Sequence, residues 1–78
     1  MISERLRRVI LHELNVPDIE LRDDMLATEV PGWDSLTHVS VLAAVEKEFG
    51  IRFAGLEIMR LKNLGDLQKL VAKKTGTG

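Results

Sequence analysis

Asp34, Ser35 and His38 bring three side chains capable of acyl or phosphoryl chemistry into one short stretch. A serine hydroxyl is a weak nucleophile unless a base activates it. A histidine three positions further along a helix lies close enough to hydrogen-bond it. Asp34 adjoins, so serine, histidine and aspartate occur together. A hydrolase also needs an oxyanion hole, a substrate cleft and a third residue that orients the imidazole. The Gly-x-Ser-x-Gly elbow is missing. Asp34 is better placed to cap the helix that begins just after it than to reach across to His38. Ser35 therefore does not read as a catalytic nucleophile, and His38 reads as a partly exposed neighbour. Local pattern alone gives a first-turn serine only local hydrogen bonding. An exposed helix N-terminus favours an anion by roughly 0.3–1 kcal/mol, so a phosphoester on Ser35 is expected to sit well there.

The elements that must position these residues are helical. Pro31 and Gly32 mark a turn immediately upstream. The spacing predicts a helix over 35–49 with Gly50 after its last turn. Val41, Leu42, Val45 and Phe49 follow core spacing on it. Leu36, Val39 and Ala43 form a second apolar stripe, which packs under a loop or serves as a docking surface. A first helix is predicted over 3–14, capped by Ser3, with Leu6, Val9, Ile10 and Leu14 inward and Arg5, Arg8 and His12 outward. Glu4 and Arg8 are spaced for an ion pair. Asn15 and Pro17 end that helix. Residues 15–33 then make a connection longer than a compact domain usually carries. Ile19, Leu21, Met25, Leu26 and Val30 are expected to pin it to the core. Residues 55–60 read as one or two helical turns. A last helix is predicted over 64–74, with Asn63 as N-cap, Asp66 completing a capping box, and Leu64, Leu67, Leu70 and Val71 inward. Lys73 and Lys74 suit its negative end. Residues 75–78 read as a frayed tail.

Seventy-eight residues without cysteine are expected to form one small domain, 1–78, that must rely on helix packing. Any thiol chemistry needs an added group. No apolar run approaches the ~20 residues of a membrane span, and no signal-peptide pattern opens the chain, so a cytoplasmic location is expected. The net charge of −1 conceals an acidic half and a basic half. Between positions 18 and 34 stand six acids (Asp18, Glu20, Asp23, Asp24, Glu29 and Asp34) against Arg22. Such a surface beside Ser35 steers a basic partner and repels nucleic acid. Its EF-hand spacing and glycine are absent, which sets calcium aside. The cluster Arg5, Arg7 and Arg8 lacks interleaved aromatics and reads as a solvated face.

Gly32-Trp33-Asp34-Ser35-Leu36, the amphipathic helix running into Glu48-Phe49-Gly50-Ile51, and the helical tail from Leu64 to Leu70 resemble the acyl carrier protein family. The resemblance covers almost the whole chain. It implies an all-α fold: a small antiparallel helical bundle of three long helices and one short one, with a long loop between the first two. It also implies a non-enzymatic carrier in which Ser35 holds 4′-phosphopantetheine, derived from coenzyme A, and acyl cargo rides as a thioester. Asp34, Leu36, Val39, Ala43 and Glu46 are then the residues expected to meet partners. Those partners are a phosphopantetheinyl transferase and acyl- or aminoacyl-loading and acyl-processing enzymes, met by a monomer. Trp33 is expected either to cover the bundle or to contact a partner enzyme. Cargo space is expected, if anywhere, among Val41, Leu42, Val45, Ile58 and Leu61. Carriers of primary fatty-acid synthesis usually have a second helix rich in acids. Here Thr37, Ser40 and Lys47 occupy that face, with Glu46 and Glu48 as its acids, which speaks against routine fatty-acid synthesis. Gly32-Trp33-Asp34-Ser35-Leu36 resembles free-standing carriers of specialised pathways, polyketide, modified-lipid and aminoacyl ones among them. The other readings are a helical interaction module without cofactor, and an aminoacyl or peptidyl carrier.

Overall fold

Ser3 starts the first helix as expected: its hydroxyl oxygen accepts the Leu6 N–H at 3.2 Å. The computed structural model describes residues 2–76, and its elements are all helical. Helix α1 is Glu4–Leu14, α2 Ser35–Phe49, α3 Gly55–Met59 and α4 Leu64–Thr75, with a 3₁₀ turn at Ala27–Glu29 inside the long connection. Asn15 closes α1 in the left-handed conformation, at φ 54°. The Asn15 and Val16 N–H groups return to the His12 and Leu11 carbonyls, satisfying the helix end. That return lays Val16 back toward the helix, and Leu11 is buried along with Leu6, Ile10 and Leu14. Val9, expected inside, is only partly buried.

Helices α1 and α2 pack antiparallel. Arg5, at the start of α1, lies 4.5 Å over the Phe49 ring at the end of α2. Its guanidinium also donates to the Glu48 carboxylate at 2.8 Å and the Glu48 carbonyl at 2.7 Å. Val41 and Val45 of α2 meet Leu6 and Ile10 of α1 and Val71 of α4 in one fully buried cluster. The Ser3 N–H donates to Gln68 Oε1 at 2.7 Å and ties the start of α1 to α4.

The long connection is held by specific bonds. Arg7 donates to the Ile19 carbonyl at 3.0 Å and pairs with Asp18, so this arginine fastens the loop to α1. Leu21, Met25 and Val30 are buried as expected. Leu26 is not: it precedes the 3₁₀ turn, its N–H donates to the Glu29 carboxylate at 2.8 Å, and Ala27 packs against the core in its place. The loop also caps α4. The Leu64 N–H donates to the Met25 carbonyl and the Gly65 N–H to the Asp23 carbonyl, each at 2.9 Å. These are two of the orphan donors of a helix start. Asn63 Oδ1 accepts a third, from Asp66, at 2.9 Å. The expected capping box is only half formed, because the Asp66 carboxylate takes the Lys62 N–H instead of that of Asn63. At the other end, Thr75 and Gly76 depart from the expected frayed tail. Thr75 is helical and donates its hydroxyl to the Val71 carbonyl at 2.8 Å, and Gly76 closes α4 at φ 80°. Residues 77 and 78 lie outside the described residues.

Candidate functional site

Val30, Pro31, Gly32 and Trp33 form a tight turn closed by the Trp33 N–H on the Val30 carbonyl, at 3.1 Å. Gly32 adopts φ 83°, which a type II turn requires at its third position, and Pro31 pre-sets the second. Val30 and Trp33 are both buried, so the turn is anchored on each side. It delivers Asp34 to the start of α2.

Asp34 is the N-cap. One carboxylate oxygen accepts the Leu36 N–H at 2.8 Å and the Thr37 N–H at 3.0 Å. The Thr37 hydroxyl accepts the Asp34 N–H at 2.8 Å and donates to the Gly32 carbonyl at 2.8 Å. The turn and the helix start are thereby locked to one another. The Thr37 N–H, and after it that of Leu36, hold the Asp34 carboxyl below the usual carboxylate range.

Ser35 is the first helical residue and is exposed. Among the described residues its hydroxyl makes no hydrogen bond. The N–H groups of Leu36 and Thr37 serve the Asp34 carboxylate, itself an anion, so they are not free for a second one. The exposed Ser35 hydroxyl leaves room for a substituent that projects into solvent.

His38 does not bond to Ser35. Its Nδ1 accepts the buried Trp33 indole N–H at 3.0 Å, which leaves the imidazole proton on Nε2. With the imidazole bonded to Trp33 and Asp34 bonded to backbone, no relay from His38 to the serine exists here. Trp33 thus covers the bundle end as a packing residue with a satisfied polar tip. Among the described residues no three His, Cys, Asp or Glu side chains converge to hold a metal, and no helix is long and apolar enough to cross a membrane.

The residues expected to meet partners divide. Leu36 is 84 % exposed and Val39 70 %, and Ala43 is exposed beside them, so the second stripe faces solvent and packs under no loop. Glu46 has an internal duty that sequence reading missed: its carboxylate accepts the Phe53 N–H at 2.7 Å, and its carbonyl accepts the Ile51 N–H at 3.0 Å. It holds the connector after α2. Of the loop acids, Asp34 belongs to the serine's own turn, while Asp18, Asp24 and Glu29 are engaged by Arg7, Arg22 and the Leu26 N–H. The residues proposed to make cargo space are packed. Val41, Leu42 and Val45 are buried, and Ile58 and Leu61 pack against the same cluster. A cleft lined by Trp33, His38, Leu61 and Leu64 encloses about 50 Å³, room for a water or two rather than an acyl chain.

Comparison with known proteins agrees with this geometry. The family model described as "Phosphopantetheine attachment site" matches residues 4–71. An acyl carrier protein of Solidesulfovibrio magneticus is 25% identical over 75 residues, covering 96% of each chain. Polyketide-8 synthase acyl carrier protein 2 of Streptomyces avermitilis is 30% identical, covering 95% of this chain and 85% of its own. The solution structure of holo acyl carrier protein from Geobacter metallireducens superposes with a TM-score of 0.84 at 34% identity, over 91% of this chain and 82% of that one.

Proposed function

The chain belongs to the acyl carrier protein family, the family of the phosphopantetheine attachment site, and we propose that Ser35 is its point of attachment. The observation that carries this reading is the exposed, unbonded Ser35 hydroxyl at the first position of α2, held out by the Asp34 cap and the Pro31–Gly32 turn. The serine oxygen attacks the pyrophosphate of coenzyme A at the phosphorus bearing the pantetheine. The Ser35 Oγ–P bond forms, a P–O bond of the pyrophosphate breaks, and adenosine 3′,5′-bisphosphate leaves. The serine proton passes to a base on the transferase, because His38 is committed to Trp33 and the Ser35 hydroxyl has no hydrogen-bond partner among the described residues. When bound, the group supplies a terminal thiol on which acyl groups travel as thioesters, a chemistry this cysteine-free chain otherwise lacks.

The protein's own part is presentation, without catalysis. The Asp34–Thr37 lock fixes where the serine points, and the exposed Leu36, Val39 and Ala43 offer an apolar contact beside it. We take the carrier to be a cytoplasmic monomer that meets acyl-loading and acyl-processing enzymes of a specialised pathway. The polyketide relative supports that pathway class, as does the sparse acidity of α2. The closed core supports cargo that rides outside the bundle. Incubation with coenzyme A, magnesium and a broad-specificity phosphopantetheinyl transferase tests the reading. One arm is expected to be added to the parent and none to Ser35→Ala. An unchanged parent mass with several active transferases would favour a helical interaction module without cofactor.

A further inference from the structure

From the unpaired charges around its exposed apolar stripe, we infer that the α2–α3 face of this carrier docks a partner surface whose apolar contact is bordered by carboxylates. The inference rests on the carrier reading and names the class of partner that the site meets.

Segment 36–62 holds three acids, Glu46, Glu48 and Glu57, and four bases, Lys47, Arg52, Arg60 and Lys62. All three acids are engaged within the chain. Glu46 accepts the Phe53 N–H, Glu48 pairs with Arg5 at 2.8 Å, and Glu57 pairs with Lys74 at 2.9 Å while accepting the Ala54 N–H. None of the four bases makes an ion pair among the described residues. Glu48 and Glu57 are thus neutralised by bases while Glu46 keeps its charge, so the four bases leave this segment net cationic, with the Asp34 carboxylate at its edge beside Leu36, although the chain as a whole is net negative.

The bases stand beside the apolar surface. Leu36, Ala43 and Lys47 recur at i, i+7 and i+11, which sets them on one row of α2. Arg52 joins that row at its far end, where Ala43, Glu46, Lys47, Gly50, Ile51 and Arg52 line an open concavity of about 440 Å³. The chain then runs back along α2, from Phe53 against Glu46 to Leu61 and Lys62 beside Trp33 and His38. On the way it exposes Leu56 (67 %) and Met59 (81 %), with Arg60 next to the latter. Away from the Asp34 end, where the serine's own acids lie, the exposed apolar side chains and the four unpaired bases favour an acidic partner over a basic one.

The test uses two synthetic amphipathic helical peptides with the same leucine face, one flanked by glutamates and the other by lysines. Each is titrated into the isotopically labelled full chain at low salt. The glutamate peptide is expected to shift the amide resonances of Leu36, Val39, Lys47, Arg52 and Met59 and to bind about tenfold more tightly than its lysine twin. Lys47→Gln with Arg52→Gln is expected to weaken the preference, and the addition of Arg60→Gln and Lys62→Gln to abolish it, with helical content at the parental level. Equal or tighter binding of the lysine peptide, or no perturbation of this face by either, overturns the inference. Intact mass after treatment with the transferase is read on the same samples. An arm without the charge preference defeats only the docking inference, whereas the preference without an arm defeats the carrier reading.

Discussion

Gly65→Ala sets two magnitudes against each other. Replacing glycine by alanine in a helix ordinarily gains about 0.5–1 kcal/mol, because the unfolded chain loses freedom. At Gly65 an added Cβ would lie 3.0 Å from the Asp23 carbonyl oxygen, 3.1 Å from Asp23 Cβ and 3.3 Å from Asn63 Oδ1. Neither oxygen can move away cheaply. The first accepts the Gly65 N–H at 2.9 Å, and the second accepts the Asp66 N–H at 2.9 Å. Crowding of this kind costs roughly 1–3 kcal/mol, and here it also strains two bonds that cap α4. The cost wins, with an expected net loss of about 1–2 kcal/mol. That corresponds to a melting temperature lower by some 4–15 °C in a domain of this size. Urea unfolding followed by circular dichroism measures it, with a lower midpoint at an unchanged slope. Gly55→Ala is the control, since nothing lies within 4 Å of a Cβ there, and it is expected to be neutral or slightly stabilising. A Gly65→Ala protein as stable as the parent, or an equal loss in Gly55→Ala, would refute the claim that the loop seats on the start of α4.

Leu36→Ala, at an 84 % exposed position, is expected to change stability by no more than about 0.5 kcal/mol while slowing modification of Ser35. Val45→Ala, fully buried, is expected to cost about 2–3 kcal/mol and leave modification near normal while folded. Urea midpoints and modification rates together separate the two. Because hydrogen bonds hold the Asp34 carboxyl below its ordinary value, its contribution to stability is present above the unfolded pKa of about 3.9 and lost as pH falls through the lower folded value. The acid limb of an unfolding-versus-pH curve is therefore expected to flatten in Asp34→Asn. The same variant should be modified more slowly, and the parental rate should fall as salt rises, since exposed charges are screened beyond ~8 Å at physiological ionic strength. His38→Ala is expected to move the indole N–H resonance of Trp33, the chain's one tryptophan, whose acceptor it removes.

The helices were legible in the sequence because each carries local signals: Ser3, Asp34 and Asn63 as caps, Asn15 and Gly50 as stops, and apolar periodicity between them. The second stripe of Leu36, Val39 and Ala43 was legible for the same reason, but periodicity left open whether it packed under the loop, and the structure shows it exposed. What periodicity could not show was long-range. The burial of Leu11 depends on the chain folding back at Val16, and the exposure of Leu26 on a 3₁₀ turn that gives its place to Ala27. The carbonyls of Asp23 and Met25 cap a helix some forty residues away, a pairing that no spacing rule encodes. At the site, spacing placed His38 within reach of Ser35 but could not show that the buried Trp33 indole takes its Nδ1. Glu46 looked like a surface acid until the connector's N–H was found on it.

The central claim is that Ser35 carries the arm, and peptide-level mass spectrometry of protein from its native host tests it most directly, with the acyl group kept intact. The account predicts a phosphopantetheine ejection signature from the peptide containing Asp34-Ser35-Leu36, with a cargo released by hydroxylamine, as a thioester is. An unmodified Ser35 peptide throughout, or an arm on any other residue, would contradict it.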